Sequence, residues 1–219
     1  RRQRVDHDVD LYHLPFRTTP SERDRTPITL ASRPVAARVH AFATTCSQQT
    51  MSTDKYQFER HDVPIAEPLI NDLADFWQRI FGLGFSWCRP VLSGSERDAN
   101  RDILFLARIH GHVVASCRLT INQGDPRIAA LGEVATSTAH RGQGLGTAVC
   151  GQATDEFDGA GGQAMFLGTG NPNAARIYER LGWRFLPGSH VMARTSAGQG
   201  PQKFFAEYFG NELELPVRV

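Results

Sequence analysis

Lysine is scarce in this sequence and occurs only at Lys55 and Lys203. A nucleotide-binding P-loop needs a lysine within its glycine motif, and neither lysine completes such a motif. A pyridoxal phosphate enzyme would need one of the two as its Schiff base, and both lie outside the expected core. The sequence therefore argues against both classes of enzyme.

Closely spaced cysteine pairs are also missing. The four cysteines lie far apart in the chain, at Cys46, Cys88, Cys117 and Cys150. A zinc site or a disulfide framework normally shows C-x-x-C or similarly regular spacing. The spacing instead favours free, mostly buried thiols in a reducing, cytoplasmic compartment.

Long hydrophobic runs and a strong charge of one sign are absent as well. No apolar stretch approaches the roughly 18 residues that a membrane span requires, so no membrane partner is expected. The net charge of +1 argues against a nucleic-acid partner, which usually selects a basic surface. His110 and His112 have metal-like spacing but no acidic or cysteine partner nearby in sequence, so no metal site is predicted.

Residues 1–54 differ in composition from the rest of the chain. No acidic residue occurs between Arg25 and Thr53, whereas arginine, serine and threonine are frequent. Three interpretations stay open: an extension or disordered segment before a start at Met51, a targeting peptide, or a structured appendage. Residues 55–196 are predicted to form the main domain, and residues 197–219 a C-terminal appendage.

Apolar spacing predicts an alternating pattern of strands and helices in the main domain. In the first half we expect a strand, a helix, a loop and three strands, at Tyr56–Arg60, Pro64–Phe81, Gly82–Asn100, Ile103–Ile109, Val113–Ile121 and Ile128–Thr136. In the second half we expect a helix, a strand, a helix and two strands, at 145–157, Ala164–Gly168, Pro172–Leu181, Trp183–Leu186 and His190–Arg194. The order predicts one α+β domain with a mixed, mostly antiparallel sheet flanked by helices.

A glycine-rich segment lies between the strand ending at Thr136 and the helix starting near Leu145. It reads Arg141-Gly142-Gln143-Gly144-Leu145-Gly146-Thr147 and fits R-x-x-G-x-G, but not the dinucleotide motif G-x-G-x-x-G. Glycines let the backbone turn sharply, and the helix N-terminus adds free N–H groups and a positive dipole end. This combination predicts a binding site for a pyrophosphate.

A second motif follows about thirty residues later, from Asn171 to Trp183. Asn171 can cap a helix, Pro172 suits its first turn, and Gly182 suits its exit. Taken alone, this motif favours a short helix in which Tyr178 is a core aromatic residue.

Together, the two motifs resemble the GNAT superfamily of N-acetyltransferases. That family carries [RQ]-x-x-G-x-[GA], followed by N-x-x-A-x-x-x-Y-x-x-x-G-[FW]. The second pattern is matched here by Asn171, Ala174, Tyr178, Gly182 and Trp183. The resemblance spans about residues 56–195 and implies a V-shaped acetyl-CoA cleft between the fourth and fifth strands.

The resemblance also implies roles for individual residues. The cofactor-binding residues would be Val134, Ala135 and Thr136 along the pantetheine, Arg141, Gly142, Gln143, Gly144, Leu145, Gly146 and Thr147 around the pyrophosphate, and Asn171, Ala174 and Tyr178. A backbone N–H near Ala135 or Thr136 would hold the oxyanion. Tyr178 would protonate the leaving thiolate, because phenols keep their proton at neutral pH.

Glu133 is the candidate base that would deprotonate the amine. An alternative is equally open, because strand alternation turns Glu133 away from the core if Val134 faces it. Acceptor binding is implied near Phe85–Arg89 and near the turn Pro187–His190, where Arg89 hints at a substrate carboxylate.

The function predicted is transfer of an acetyl group from acetyl-CoA to a primary amine of a small molecule or peptide. A different class of function is kept as the alternative: a non-catalytic acyl-CoA-binding module or sensor. An intact Tyr178 favours catalysis, because a sensor needs only the glycine loop. The acceptor and the oligomeric state stay open, with a homodimer among the alternatives.

Overall fold

A single seven-stranded sheet organises the part of the chain that the structure, a computed structural model, describes: residues 55–82, 84–196 and 200–210. Its strands are β1 (Gln57–Asp62), β2 (Asn100–Ile109), β3 (His112–Asn122), β4 (Ile128–Thr136), β5 (Ala164–Gly168), β6 (Arg184–Phe185) and β7 (Val191–Thr195). They are ordered β1-β2-β3-β4-β5-β7-β6, and every adjacent pair is antiparallel except β4–β5. The predicted mixed, mostly antiparallel α+β fold is confirmed.

Five α-helices accompany the sheet in the described residues. They are α1 (Glu67–Phe81), α2 (Cys88–Leu92), α3 (Leu145–Gly159), α4 (Pro172–Arg180) and α5 (Pro201–Phe209). Two separate buried clusters show on which face of the sheet each of the helices α1 to α4 packs. One cluster contains Val149 of α3 and Tyr178 of α4, and the other contains Trp77 of α1 and Leu92 of α2. Helices α3 and α4 therefore pack on one face of the sheet, and α1 and α2 on the opposite face.

Helix α1 illustrates how local sequence fixes an element. Its apolar residues recur at three- and four-residue spacing, and Ile70, Leu73, Phe76 and Trp77 are buried. Pro68 occupies the first turn, where its missing N–H costs no helical hydrogen bond. The helix begins at Glu67 rather than at the predicted Pro64.

Two helices were not predicted from the sequence. Helix α2 lies within the segment predicted to be a loop, and α5 lies within the predicted C-terminal appendage. Helix α5 packs against the sheet: Phe204 is buried, and the ring of Phe205 lies 5.2 Å from that of Phe166. The hydroxyl of Tyr208 donates a hydrogen bond to Asp125 (2.7 Å).

The predictions for residues 1–54 lie outside the described residues. Within the described ranges, no helix combines the length and apolarity needed to cross a bilayer.

Candidate active site

Strands β4 and β5 separate part-way along their length. They pair only at Ile128, Ala129 and Ala130, which face Ala164, Met165 and Phe166. Beyond this point the remaining residues of β5 pair with β7 alone within the described part of the sheet. The far half of β4 therefore borders an opening, in the place where the sequence predicts the V-shaped cleft.

A bulge interrupts β4 where this opening begins. Ser116 pairs with Ala135 and Arg118 with Gly132, so Cys117 faces the two residues Glu133 and Val134. Glu133 adopts a left-handed backbone conformation with φ of 44°. Such a conformation costs a residue with a side chain roughly 1–2 kcal/mol, so surrounding contacts must maintain it.

The bulge changes which way the side chains of β4 point. Leu131 packs in the cluster under α3, whereas Ala135 packs in the cluster under α1. Glu133 lies at the change and is only 9% exposed. The alternative that Glu133 is a solvent-facing strand residue is wrong: Val134 packs against the cluster under α3, but the opposite face, to which Glu133 turns, is also covered, by α1 and α2.

Glu133 belongs to a buried ion cluster. Arg118 donates Nε to Glu133 Oε2 (2.5 Å) and Nη1 to Asp102 Oδ1 (2.9 Å), and Thr120 donates to the same Asp102 oxygen (2.6 Å). Burial lowers the pKa of Arg118, but the two carboxylates outweigh it and leave that pKa above its ordinary value. The cluster thus pairs the buried Glu133 carboxylate with the guanidinium of Arg118.

Helix α2 lies close to this cluster through Cys88. Burial, followed by the negative charge of Glu133, raises the pKa of the Cys88 thiol to about 11. The thiol also donates to the carbonyl of Phe85 (2.7 Å). Cys88 is therefore a neutral thiol at pH 7, and its position brings the predicted acceptor loop beside Glu133.

The backbone amides of β4 alternate in direction beyond the bulge. The N–H of Ser137 donates to the carbonyl of Val114 on β3 (2.8 Å). Bonded pairs in an antiparallel ladder recur every second residue, so the N–H of Ala135 also points to β3. The N–H groups of Val134 and Thr136 then point to the other side, into the opening. Of the three predicted pantetheine residues, Val134 and Thr136 offer the cleft an amide.

The glycine loop closes one end of the opening. Gly142 and Gly144 have φ of 74° and 76°, which glycine adopts without strain, and α3 begins at the next residue, Leu145. A Cβ atom on Gly146 would lie 3.2 Å from Thr136 Oγ1, closer than ordinary contact. The loop therefore brings the backbone of α3 against β4 and leaves its first N–H groups available to an anion.

Polar contacts connect the loop to two strands. The hydroxyl of Tyr56, just before β1, hydrogen-bonds His140 Nδ1 (3.1 Å) and donates to Gln143 Oε1. Arg141 donates Nε to the carbonyl of Thr136 (3.2 Å) and is otherwise exposed. Gln143 is also exposed, and Thr147 is half-buried in the first turn of α3. These residues are placed where a pyrophosphate could reach them.

The second motif forms α4 as predicted. Asn171 caps the helix by accepting hydrogen bonds from the N–H groups of Asn173 (2.9 Å) and Ala174 (3.4 Å). Tyr178 is 6% exposed, and its ring lies 6.2 Å from that of Trp183. It belongs to the same cluster that Val134 borders from β4. Asn171 thus caps α4, and Tyr178 is a core residue on the face of the sheet that α3 and α4 cover.

The predicted acceptor loop contributes aromatic surface rather than a free cation. The rings of Phe85 and Trp87 lie 5.5 Å apart, and Trp87 is 36% exposed. Arg89 donates to Glu67 and Asn71 of α1, so its guanidinium is already engaged. The structure therefore gives no support to Arg89 as a ligand for a substrate carboxylate.

Several residues around the site were not singled out from the sequence. Arg118 and Ser116 interrupt an otherwise apolar strand, a signal that buried polar groups with partners were required there. Tyr56 gives no comparable signal, because its partners lie more than eighty residues away.

A mixed sheet in which a parallel pair of strands separates above a glycine loop and a helix N-terminus is typical of acyltransferases that use a CoA thioester. Residues 67–183 match the family described as the acetyltransferase (GNAT) family. This match covers more than half of the 219 residues, and the chain belongs to that family.

Similar solved structures include three bacterial proteins. One is a GNAT family acetyltransferase from Staphylococcus aureus Mu50, with 16% identity over 63% of this chain and 99% of that chain, and a TM-score of 0.48. Another is the ribosomal-protein-S18-alanine N-acetyltransferase from Escherichia coli, with 16% identity over 65% and 97%, and a TM-score of 0.49. A third is a GNAT family N-acetyltransferase from Escherichia coli in complex with CoA, with 18% identity over 65% and 82%, and a TM-score of 0.46. No curated protein gives a significant match.

Proposed function

We propose that this protein is an N-acetyltransferase that moves an acetyl group from acetyl-CoA to a primary amine of a small molecule or peptide. The observation that carries the proposal is the opening between β4 and β5, bordered by β4 amides that point away from β3 and closed by the glycine loop at the N-terminus of α3. Membership of the GNAT family supports the same reaction class.

The glycine loop fits the diphosphate of CoA in both shape and charge. Its left-handed glycines and the N-terminus of α3 present N–H groups at one point, and a Cβ on Gly146 would crowd Thr136 beside them. Arg141 adds an exposed guanidinium beside these amides. The N–H groups of Val134 and Thr136 would pair with the amide-bearing pantetheine arm.

Acetyl-CoA would supply the thioester carbonyl that the amine attacks, so the enzyme needs no nucleophile of its own. The N–H of Val134 or Thr136 would stabilise negative charge on the carbonyl oxygen. Glu133, paired with Arg118 in the buried cluster, would take the proton from the ammonium of the acceptor. Tyr178 would give a proton to the departing thiolate.

The test is release of free CoA thiol by the purified full chain in the presence of acetyl-CoA and a panel of amines. The panel should contain polyamines, amino acids, aminoglycosides and short peptides. An amine-dependent rate well above the rate without amine supports the proposal. Binding of CoA without turnover on any amine would instead favour a non-catalytic acyl-CoA-binding module.

The three cysteines among the described residues interfere little with this measurement. Cys88, Cys117 and Cys150 are at most 2% exposed, and burial raises the pKa of both Cys88 and Cys117. A thiol reagent therefore reaches them slowly in the folded protein. Cys46 lies outside the described residues, so a blank without acetyl-CoA is the necessary control.

A further inference from the structure

The peptide that follows Glu133 in the β4 bulge is held by two side chains on the face of the sheet that α1 covers. Ser116 Oγ donates a hydrogen bond to the backbone carbonyl of Glu133 (2.8 Å), and Trp77 Nε1 donates to Ser116 Oγ (2.9 Å). Both side chains are fully buried. These two bonds, named here the Trp77–Ser116 relay, connect α1 through β3 to the bulge.

The relay determines where the next amide points. The peptide that joins Glu133 to Val134 is trans and planar, so its carbonyl and its N–H point in opposite directions. The carbonyl of Glu133 points to Ser116 on β3, and the N–H of Val134 therefore points away from β3. The alternation of the β3–β4 ladder, fixed by the bond from Ser137 to Val114, gives the same direction independently.

We propose that the Trp77–Ser116 relay is a positioning device that aims the N–H of Val134 into the cleft, where it donates to the thioester carbonyl oxygen of bound acetyl-CoA. This inference rests on the function proposed above. It assigns Ser116 and Trp77 as positioning residues, since neither side chain reaches the cleft itself. It also identifies the N–H of Val134, rather than that of Ala135, as the donor at the bulge.

Each member of the relay has a distinct task. Glu133 has a left-handed backbone, which a residue with a side chain leaves readily unless its peptide is held. The hydroxyl of Ser116 holds it, but a hydroxyl hydrogen can rotate. Donation from Trp77 occupies one of the two lone pairs of the hydroxyl oxygen and favours the rotamer in which its hydrogen is directed at the carbonyl of Glu133. Loss of the indole N–H should therefore weaken the alignment less than loss of the hydroxyl.

The experiment measures the hydrogen bond to the carbonyl directly. Infrared difference spectra of acetyl-CoA labelled with ¹³C at the carbonyl would be recorded free and bound to the full chain. Hydrogen bonding lowers the carbonyl stretching frequency. Ser116→Ala and Trp77→Phe test the two relay bonds. Thr154→Val is the matched control, because it removes a buried hydroxyl that donates to the carbonyl of Gly151 (2.8 Å) in α3.

In the parent and in Thr154→Val, the bound band should lie below the free band. In Ser116→Ala the band should return most of the way toward the free position, and in Trp77→Phe part of the way. Turnover should fall about tenfold to a hundredfold in Ser116→Ala, while the dissociation constant for acetyl-CoA changes less than about threefold. If Ser116→Ala does not fold, the band position in Trp77→Phe decides alone.

Two failures can be told apart. If the parent does not bind acetyl-CoA, or binds it without turnover on any amine, the proposed function fails. If the parent binds and turns over, but the relay variants keep the parent's band position, the relay does not position the donor and the inference is overturned. A parent band at the free frequency overturns it as well.

Discussion

Glu133 contributes to the site through two separate parts of its structure. Its backbone forms the bulge, and its carboxylate joins the buried cluster with Arg118 and Asp102. A variant that keeps the shape of the side chain can separate these contributions, because the backbone contacts of the bulge do not involve the carboxylate. The same logic applies to Tyr178, whose ring packs in the core while its hydroxyl is the proposed acid.

Replacing Glu133 with Gln should remove the proposed base and keep the bulge. We expect turnover to fall about a hundredfold while the affinity for CoA is unchanged. Asp102→Asn is the matched control, because it also neutralises a buried carboxylate paired with Arg118 (2.9 Å) but lies on β2. Steady-state kinetics and CoA titration give the comparison. Equal losses of turnover in both variants would mean that the cluster matters only for stability.

Replacing Tyr178 with Phe should remove the proposed acid and keep the ring packing against Trp183. Turnover should fall about a hundredfold or more, and CoA affinity should change less than about threefold, because one neutral hydrogen bond contributes roughly 1 kcal/mol net. Tyr208→Phe is the control, since it removes a hydroxyl on α5 that donates to Asp125, a residue before β4. Unchanged turnover in Tyr178→Phe would assign protonation of the thiolate to solvent.

At the scale of elements, local patterns predict most of this fold. Strands β4 and β5 have the predicted bounds, Ile128–Thr136 and Ala164–Gly168, because apolar runs between turn residues mark them clearly. Helix α2 was missed because its five residues lie among Gly, Pro and Ser. Helix α5 was missed although Phe204, Phe205 and Tyr208 have helical spacing.

The bulge in β4 could not be predicted in the same way. Nothing in the residues Gly132, Glu133 and Val134 indicates an extra residue in the strand, because its cause lies in the partner strand and in α1. Hydrogen bonds between residues 17 and 39 positions apart hold it. The conformation of the glycine loop was predictable because its glycines and its helix are adjacent in sequence, whereas the surroundings of Glu133 are assembled from three distant segments.

The glycine loop allows a prediction at this scale. Replacing both Gly144 and Gly146 with Ala should weaken CoA binding about tenfold or more, because Gly144 has a left-handed φ and a Cβ on Gly146 would crowd Thr136. Gly151→Ala with Gly159→Ala is the matched control in the same helix, where an added Cβ meets nothing within 4 Å. Thermal melting with and without CoA makes the measurement. The loop is not the site if CoA stabilises both double variants equally.

At the scale of the whole molecule, ion pairs connect α3 to the sheet, and a hydrogen bond connects α5 to the turn before β4. Arg60 of β1 pairs with Glu156 of α3 (2.8 Å), and Arg194 of β7 pairs with Asp158 at the end of α3 (2.6 Å). Tyr208 of α5 bonds to Asp125 just before β4. Most of these groups are partly exposed, so each pair contributes little alone and is screened by salt. Their joint contribution to the stability of the fold is expected to be lost when the carboxylates are protonated.

Acid should therefore destabilise the protein. Among the residues that the structure describes, five carboxylates have a pKa below the ordinary value in the folded protein: Glu59, Asp62, Asp125, Glu156 and Asp158. For Asp158 the leading cause is the hydrogen bond from Arg194, whereas for Glu59 burial opposes the shift and bonds from His61 and Arg108 outweigh it. The folded protein binds fewer protons than the unfolded chain near pH 4, so stability is lost as pH falls through and below that range.

Melting temperatures of the full chain at pH 7, 5, 4 and 3 would measure this loss. We expect little change between pH 7 and 5, because these carboxylates stay ionised in both states, and a steep decrease from pH 4 to 3. Asp158→Asn removes the ion pair with Arg194, whose side chain is only 19% exposed. This variant should lower the melting temperature at pH 7. The difference in melting temperature between pH 7 and pH 3 should become smaller, because one of the carboxylates that binds a proton on acidification is gone. A melting temperature that stays constant down to pH 3 would show that the ion pairs contribute nothing to the fold, and that apolar burial between the helices and the sheet suffices.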